Sequence, residues 1–347
     1  MPISVPAEWS PHRAMWLGFP SHANLWCENL RPAQQEVAAL ARTLAKLGNE
    51  HVRLFCGSST SLQHARRMMS DVLADDSANK LLPGQVSCVR GQFGDIWLRD
   101  TGPIFANASG QLSAVGFWFN GWGKKYMLEH DTTVAGQLAE HAQVALVQQE
   151  FVLEGGSLDH DGEGTVLTTR QCLLNPNRNP NWTEEVAARA LAHAIGAKKV
   201  LWLEDGLLND HTDGHVDNLA RFVAPGVVVC PEAFGSDDPN REVYERAARD
   251  LSAMTDARGR ALTVVRVPSP GLVRDEQGPQ AVPASHMNFL IANDLVIVPT
   301  YEAEPGRLAV EVLSKLFTSR EVIGMPSRAL LSGGGSFHCI TQQEPAL

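Results

Sequence analysis

Two kinds of segment alternate along the chain. Apolar residues recur at three- and four-residue spacing over residues 33–47, 62–73, 183–195, 241–254 and 308–317, which predicts helices there. The third of these carries its own boundaries. Thr183 is a cap, Glu184 and Glu185 fill the first turn, and Gly196 is a stop. Between the helical stretches lie short runs of β-branched and aromatic residues, several of which pair as hairpins. Residues 221–223 face 227–230 across Ala224-Pro225-Gly226, and 289–292 face 295–299 across Asn293-Asp294.

A longer pattern overlies this alternation. Five times a polar or glycine-rich cluster opens into a strand: DIWLRDTGPIFA, EGGSLDHDGEGTVLTT, GHVDNLARFV, SHMNFLIA and GGGSFHCITQQ. Their anchors, Trp97, Glu154, His215, His286 and Cys339, fall roughly 50–70 residues apart, the scale of one supersecondary unit. A helix-plus-hairpin unit repeated in this way predicts an α/β ring whose polar clusters converge on the axis. No linker, charge block or low-complexity stretch interrupts it, so a single domain over residues 1–347 is expected.

Composition narrows the function classes. Hydrophobic residues make up 44% and charged residues 20%, as in ordinary globular domains. The net charge is -10 and no dense Lys/Arg cluster occurs, which argues against a nucleic-acid partner. No uncharged apolar run is long enough to span a bilayer. The opening MPISVPAEWSPHRAMWLGFP lacks a basic segment followed by an apolar one, so a cytoplasmic location is expected. The cysteines at 27, 56, 88, 172, 230 and 339 are scattered, which favours reduced thiols. Serine-nucleophile elbows, phosphate loops and dinucleotide fingerprints are absent from the sequence.

Cys339 follows three successive glycines and is the candidate nucleophile, because glycine lets a backbone approach a ligand closely and a thiolate attacks readily. His215, in Gly214-His215-Val216-Asp217-Asn218, is the candidate base. In an extended chain His215 and Asp217 would share one face. Glu154 ends an apolar strand beside two glycines, where a carboxylate needs a cation or hydrogen-bond donors. Asp100 offers the two oxygens that a guanidinium accepts side by side, Trp97 offers an aromatic face for a cation, and Arg99 between them is expected to be structural. His211 and His215 have the spacing of a helical metal pair. The turn-forming run 209–214 would break that phase, so neither a metal nor an organic cofactor is expected.

Taken in order, PAEWSPHRAMWLGFP, DIWLRDTGP, LEGGS, GHVDN, NFLIAND and GGGSFHCITQQ resemble the agmatine deiminase and bacterial peptidylarginine deiminase family of guanidine-modifying enzymes. The resemblance spans nearly the whole chain. It implies a five-bladed pseudo-symmetric α/β propeller of the pentein type and homodimers or higher assemblies. It also implies Cys339 as nucleophile, His215 as general acid and base, Asp100 and Asp217 as guanidinium-binding carboxylates, and Glu154 as partner of the histidine and the substrate. The implied reaction is covalent deimination, and agmatine giving N-carbamoylputrescine and ammonia is the expected case. Asp95 is a candidate for the distal amine. Free or peptidyl arginine is the alternative substrate, and a binding protein without turnover is the alternative class. One departure is His286, where relatives carry an aromatic before Asn-Phe; a changed pocket wall is expected there. The glycine-rich run 116–123, with Trp118 and Trp122, is a candidate rim.

Overall fold

The computed structural model describes residues 3–74, 85–274 and 278–347. Among these, five mixed sheets repeat one order of strands: an antiparallel hairpin, a helix, then a strand parallel to the second hairpin strand. Ile104–Ala108 and Gln111–Trp118 pair antiparallel, the helix Val134–Ala142 crosses, and Ala145–Val152 joins in parallel. Asp159–His160, Thr165–Thr169 and Lys199–Leu203 do the same around the helix Glu184–Ile195. Arg221–Ala224, Val227–Glu232 and Thr263–Pro268 flank Arg241–Ser252, and Leu290–Ile291, Leu295–Thr300 and Glu321–Pro326 flank Ala303–Leu316. In the fifth sheet the hairpin is made from distant parts of the chain. Thr341–Pro345 runs antiparallel to His12–Phe19, and Val52–Cys56 and Val86–Arg90 follow in parallel.

The helices form where the periodicity predicts them. Thr183 accepts a hydrogen bond from the Val186 amide, and Gly196 closes the helix with φ 74° in the left-handed region. On Leu30–Lys46 the buried residues Ala33, Val37, Leu40, Ala41 and Leu44 form one stripe against the fifth sheet. The helix Val134–Ala142 has no counterpart in the sequence reading. Thr132, Thr133 and Gly136 weaken its propensity, so it rests on the packing of Val134, Leu138 and Ala139 into the core.

What positions the site is the start of each hairpin. The sequence reading has polar clusters opening directly into strands. Instead each first strand is preceded by one helical turn: Leu98–Thr101, Gly155–Ser157, Val216–Asn218, His286–Asn288 and a turn over 337–340. A single helical turn leaves most of its backbone groups unpaired within itself. The polar residues of these segments serve neighbouring turns. The fully buried Arg221 reaches Asp159, Glu8 and the carbonyls of Met287 and Phe289. No helix among the described residues is long and apolar enough to cross a membrane.

Candidate active site

Four of the five turns bring Asp100, Glu154, His215, Asp217 and Cys339 to one place, all buried. The closeness is measured at Gly156. A β-carbon there would lie 2.7 Å from His215 Nδ1, 2.8 Å from Asp100 Oδ1 and 3.0 Å from Asp217 Oδ2. Cys339 Sγ is 3.8 Å from Asp217 Oδ2. His215 and Asp217 do converge, but by a different geometry from the expected extended run. Val216–Asn218 is a 3₁₀ turn, and the strand begins only at Arg221.

A cavity of about 530 Å³ opens above this cluster. Asp100 and Cys339 reach its wall with Trp97, Trp122 and Asp95, whereas His215, Glu154 and Asp217 lie behind that wall. Asp95 is held by two indoles, Trp26 Nε1 on one oxygen and Trp97 Nε1 on the other, both at 2.9 Å. Trp26 and Trp97 stack. Gly335 passes so close that a β-carbon would sit 2.5 Å from the Trp97 ring, which explains a glycine in the run before the thiol. In the 116–123 segment, Trp122 donates to Asp100 Oδ2 at 2.9 Å and is a wall residue, while Trp118 is exposed on the outer surface.

Without a cation the cluster is electrostatically unfavourable. Burial, Asp217 and Glu154 push Asp100 well above the usual carboxylate range, against donation from Trp122 and Gly156. Burial also raises Asp217, but the hydrogen bond and charge of His338, with His215 and Arg221, hold it below its ordinary value. His338 stands between two acids, Asp217 Oδ2 at 2.8 Å and Glu8 Oε2 at 3.1 Å. Burial together with Asp217 and Asp100 pushes the Cys339 thiol well above its ordinary value. One oxygen of Asp217 and both ring nitrogens of His215 have no hydrogen-bond partner among the described residues.

Glu154, expected to orient His215 and favour its protonated form, stands beside both the imidazole and a guanidinium. His215 Nε2 is 4.0 Å from Glu154 Oε2, while Glu154 Oε1 accepts from Arg178 Nε at 2.7 Å. Burial drives His215 down to about 3, Asp217 opposes the shift, and the Arg178 charge adds to it. Burial and Arg178 thus disfavour the charged imidazole, and neither ring nitrogen has a hydrogen-bond partner among the described residues. Arg178, from Asn175-Pro176-Asn177-Arg178-Asn179-Pro180, also reaches Asp213 and the Thr212 carbonyl.

Among the described residues, Glu154, Cys172 and His215 form a triplet that metal-ligand spacing would suit, with one atom of each within 4.8 Å of the others. Arg178 already places a positive charge on Glu154, which weakens the triplet as a cation site. The His211–His215 pair lacks helical phase, because Asn209, Asp213 and Gly214 take positive φ. His211 sits at the cavity wall against Tyr126.

His286 is not in the pocket wall, contrary to expectation. It is buried behind it, bonded to the Pro268 carbonyl at 2.8 Å and stacked on Tyr301. Burial holds it at about 4, against 6.5 unperturbed. The unfolded chain then binds a proton that the folded chain refuses, so stability falls as pH drops from 6.5 towards 4. Going from pH 7 to pH 5, His286→Phe should lose about 2 kcal/mol less stability than wild type in urea unfolding. Equal losses would place the imidazole's pKa near its ordinary value.

Sequence reasoning passed over Trp122 as a hydrogen-bond donor, and Arg178, His338, Glu8 and Asn288 altogether. Glu8 and His338 sit inside segments that carry the family resemblance, and Arg178 lies in a polar run bounded by prolines. Composition had no means to show that they are buried.

Comparison with known proteins agrees with this geometry. The family model for Porphyromonas-type peptidyl-arginine deiminase matches residues 4–345. An agmatine deiminase of Pseudomonas aeruginosa (strain LESB58) is 36% identical over 365 residues, covering 99% of this chain and 95% of the relative. The structure of the Enterococcus faecalis agmatine deiminase superposes with TM-score 0.89 at 33% identity, covering 99% of this chain and 96% of that one. A cysteine-to-serine variant of C. jejuni agmatine deiminase with substrate bound gives 0.86 at 27% identity, with the same coverages. The chain belongs to the Porphyromonas-type peptidyl-arginine deiminase family.

Proposed function

We propose that this chain is a deiminase that hydrolyses the guanidinium group of agmatine, giving N-carbamoylputrescine and ammonia through a covalent adduct on Cys339. The observation that carries the reading is the convergence of Asp100, Asp217, His215 and Cys339 beside an indole-lined cavity whose wall Asp100 and Cys339 reach. Each anion there is destabilised by burial or by its neighbours, and a planar cation with paired N–H donors relieves both carboxylates at once.

Asp100 and Asp217 hold the guanidinium and set its carbon against the sulfur. The cation's charge favours the thiolate, and the S–H proton passes to His215. Sulfur attacks carbon, His215 returns that proton to the departing nitrogen, and ammonia leaves a thiouronium on Cys339. His215 then takes a proton from water, the hydroxyl adds to the carbon, and the C–S bond breaks to release the ureido product. The proton on His215 goes back to sulfur, and the hydroxyl proton leaves to solvent. Glu154, fixed by Arg178, orients the imidazole and borders the substrate. Trp97 and Trp122 exclude water, and Asp95 faces the aliphatic amine.

The same reading treats the five sheets as five blades of one pseudo-symmetric ring, with residues 1–347 as a single catalytic domain of five helix-plus-hairpin repeats. The recurrence of one strand order and the pairing of Thr341–Pro345 with His12–Phe19 support it. A cytoplasmic homo-oligomer without a nucleic-acid partner completes the picture.

Arginine, free or at a peptide end, is the second reading. Arg274 and Arg328 on the cavity wall would suit a carboxylate that agmatine lacks. Ammonia release from agmatine, arginine and an arginyl peptide, measured in parallel, decides between the two. Agmatine is expected to be turned over at least about 100-fold better in kcat/KM, and release from the arginines but not from agmatine would overturn the assignment.

A further inference from the structure

The turn His286–Asn288 opens the fourth sheet, and the side chain of Asn288 is buried there. Its Oδ1 accepts from two backbone amides, His338 at 3.0 Å and Cys339 at 3.3 Å. That arrangement fixes which end of the amide faces the thiol. Nδ2 has two hydrogens to give. One lies towards Asn218 Oδ1 at 3.0 Å and the other towards Cys339 Sγ at 3.1 Å, with Asp217 Oδ2 farther away at 3.4 Å. The nearest carboxylate to the sulfur, Asp217, opposes negative charge on it, and so does Asp100. The Asn288 amide and the Ser336 backbone act in the other direction.

We infer that Asn288 is a catalytic residue whose Nδ2–H donates to the Cys339 sulfur in both half-reactions. The inference rests on Cys339 being the nucleophile. In the first half the S–H proton passes to His215 and a sulfur lone pair forms the S–C bond, with the donor lowering the energy of the thiolate before it attacks. In the second half the C–S bond breaks, the pair returns to sulfur, and the same N–H receives the leaving thiolate. The carbonyl end of Asn288 performs a separate task, anchoring the backbone at 338 and 339. The two tasks fall on different atoms and separate by substitution.

The test is alkylation of Cys339 by iodoacetamide across pH 6–10, read by peptide mass mapping so that Cys27 and the other thiols are resolved. It is run on wild type, Asn288→Asp and Asn288→Ala beside Cys339→Ala. Asn288→Asp keeps the acceptor and loses the donor, which covers the case in which Asn288→Ala folds poorly. Both variants are expected to raise the pH midpoint of alkylation by about one unit or more and to slow the reaction at pH 7 about tenfold. A fall in kcat of at least tenfold should accompany the shift. A purely structural role predicts the opposite sign, because a loosened turn exposes the thiol and speeds alkylation. Profiles that superimpose on wild type, or faster alkylation, overturn the inference. Full ammonia release by Cys339→Ala would instead overturn the nucleophile assignment on which it rests.

Discussion

Cys339→Ala releases no measurable ammonia from agmatine: the expected loss in kcat is at least about 10⁴-fold. No other thiol among the described residues stands at the cavity with Asp100 and Trp122 except Cys27, which is exposed on the far wall. Removing one sulfur atom from beside Asp217 takes away a group that burial and two carboxylates already disfavour as an anion. The variant should therefore keep its fold, with a Tm close to wild type. Acid quenching during turnover should trap a substrate-derived mass increment on wild type and none on the variant. Retention of more than a hundredth of wild-type turnover would remove Cys339 from the chemistry. A wild type inert towards every guanidine would favour a binding protein instead.

Gly156→Ala should also be damaging, although alanine is an ordinary residue for that backbone. Gly156 is not among the glycines with positive φ, so its side chain is excluded by its neighbours and not by its conformation. The added methyl would press on His215 Nδ1, Asp100 Oδ1 and Asp217 Oδ2 together. It would also disturb the bond in which the Gly156 amide donates to Asp100 at 2.9 Å. Misplacing a base and both guanidinium ligands by a few tenths of an ångström is expected to lower kcat/KM by at least about 100-fold. Far-ultraviolet circular dichroism should be unchanged. Activity within threefold of wild type would mean that the three groups move aside freely, and the convergence argument would lose its basis.

Much of this arrangement is legible in the sequence because it is local. The cap at Thr183, the stop at Gly196 and the hairpin turns depend on residues within a few positions of one another. The site residues are legible for another reason: each stands at the start of a repeated unit, so a periodic pattern marks them. What stays hidden is whatever requires two distant units to meet. Asn288 bonds to a thiol 51 residues away, and His338 bonds to Glu8 across 330 residues. Arg178 was invisible because a run of Asn, Pro and Arg reads as a solvated loop, yet its guanidinium is buried against Glu154. His286 was misplaced for a related reason. The resemblance, in which an aromatic precedes Asn-Phe, suggested the pocket wall, whereas the 286 side chain turns away to the Pro268 carbonyl and Tyr301.

The pairing of Thr341–Pro345 with His12–Phe19 also bears on how the protein is born. Among the strands described, Thr341–Pro345 is made long after His12–Phe19, so that sheet edge stays without this partner while the intervening sheets are synthesised. A nascent polypeptide ending near residue 330 already carries both carboxylates, the imidazole and the amide, but lacks the sulfur of Cys339. If Cys339 is the nucleophile, reactivity must wait until the segment around it is made and docked beside His12–Phe19.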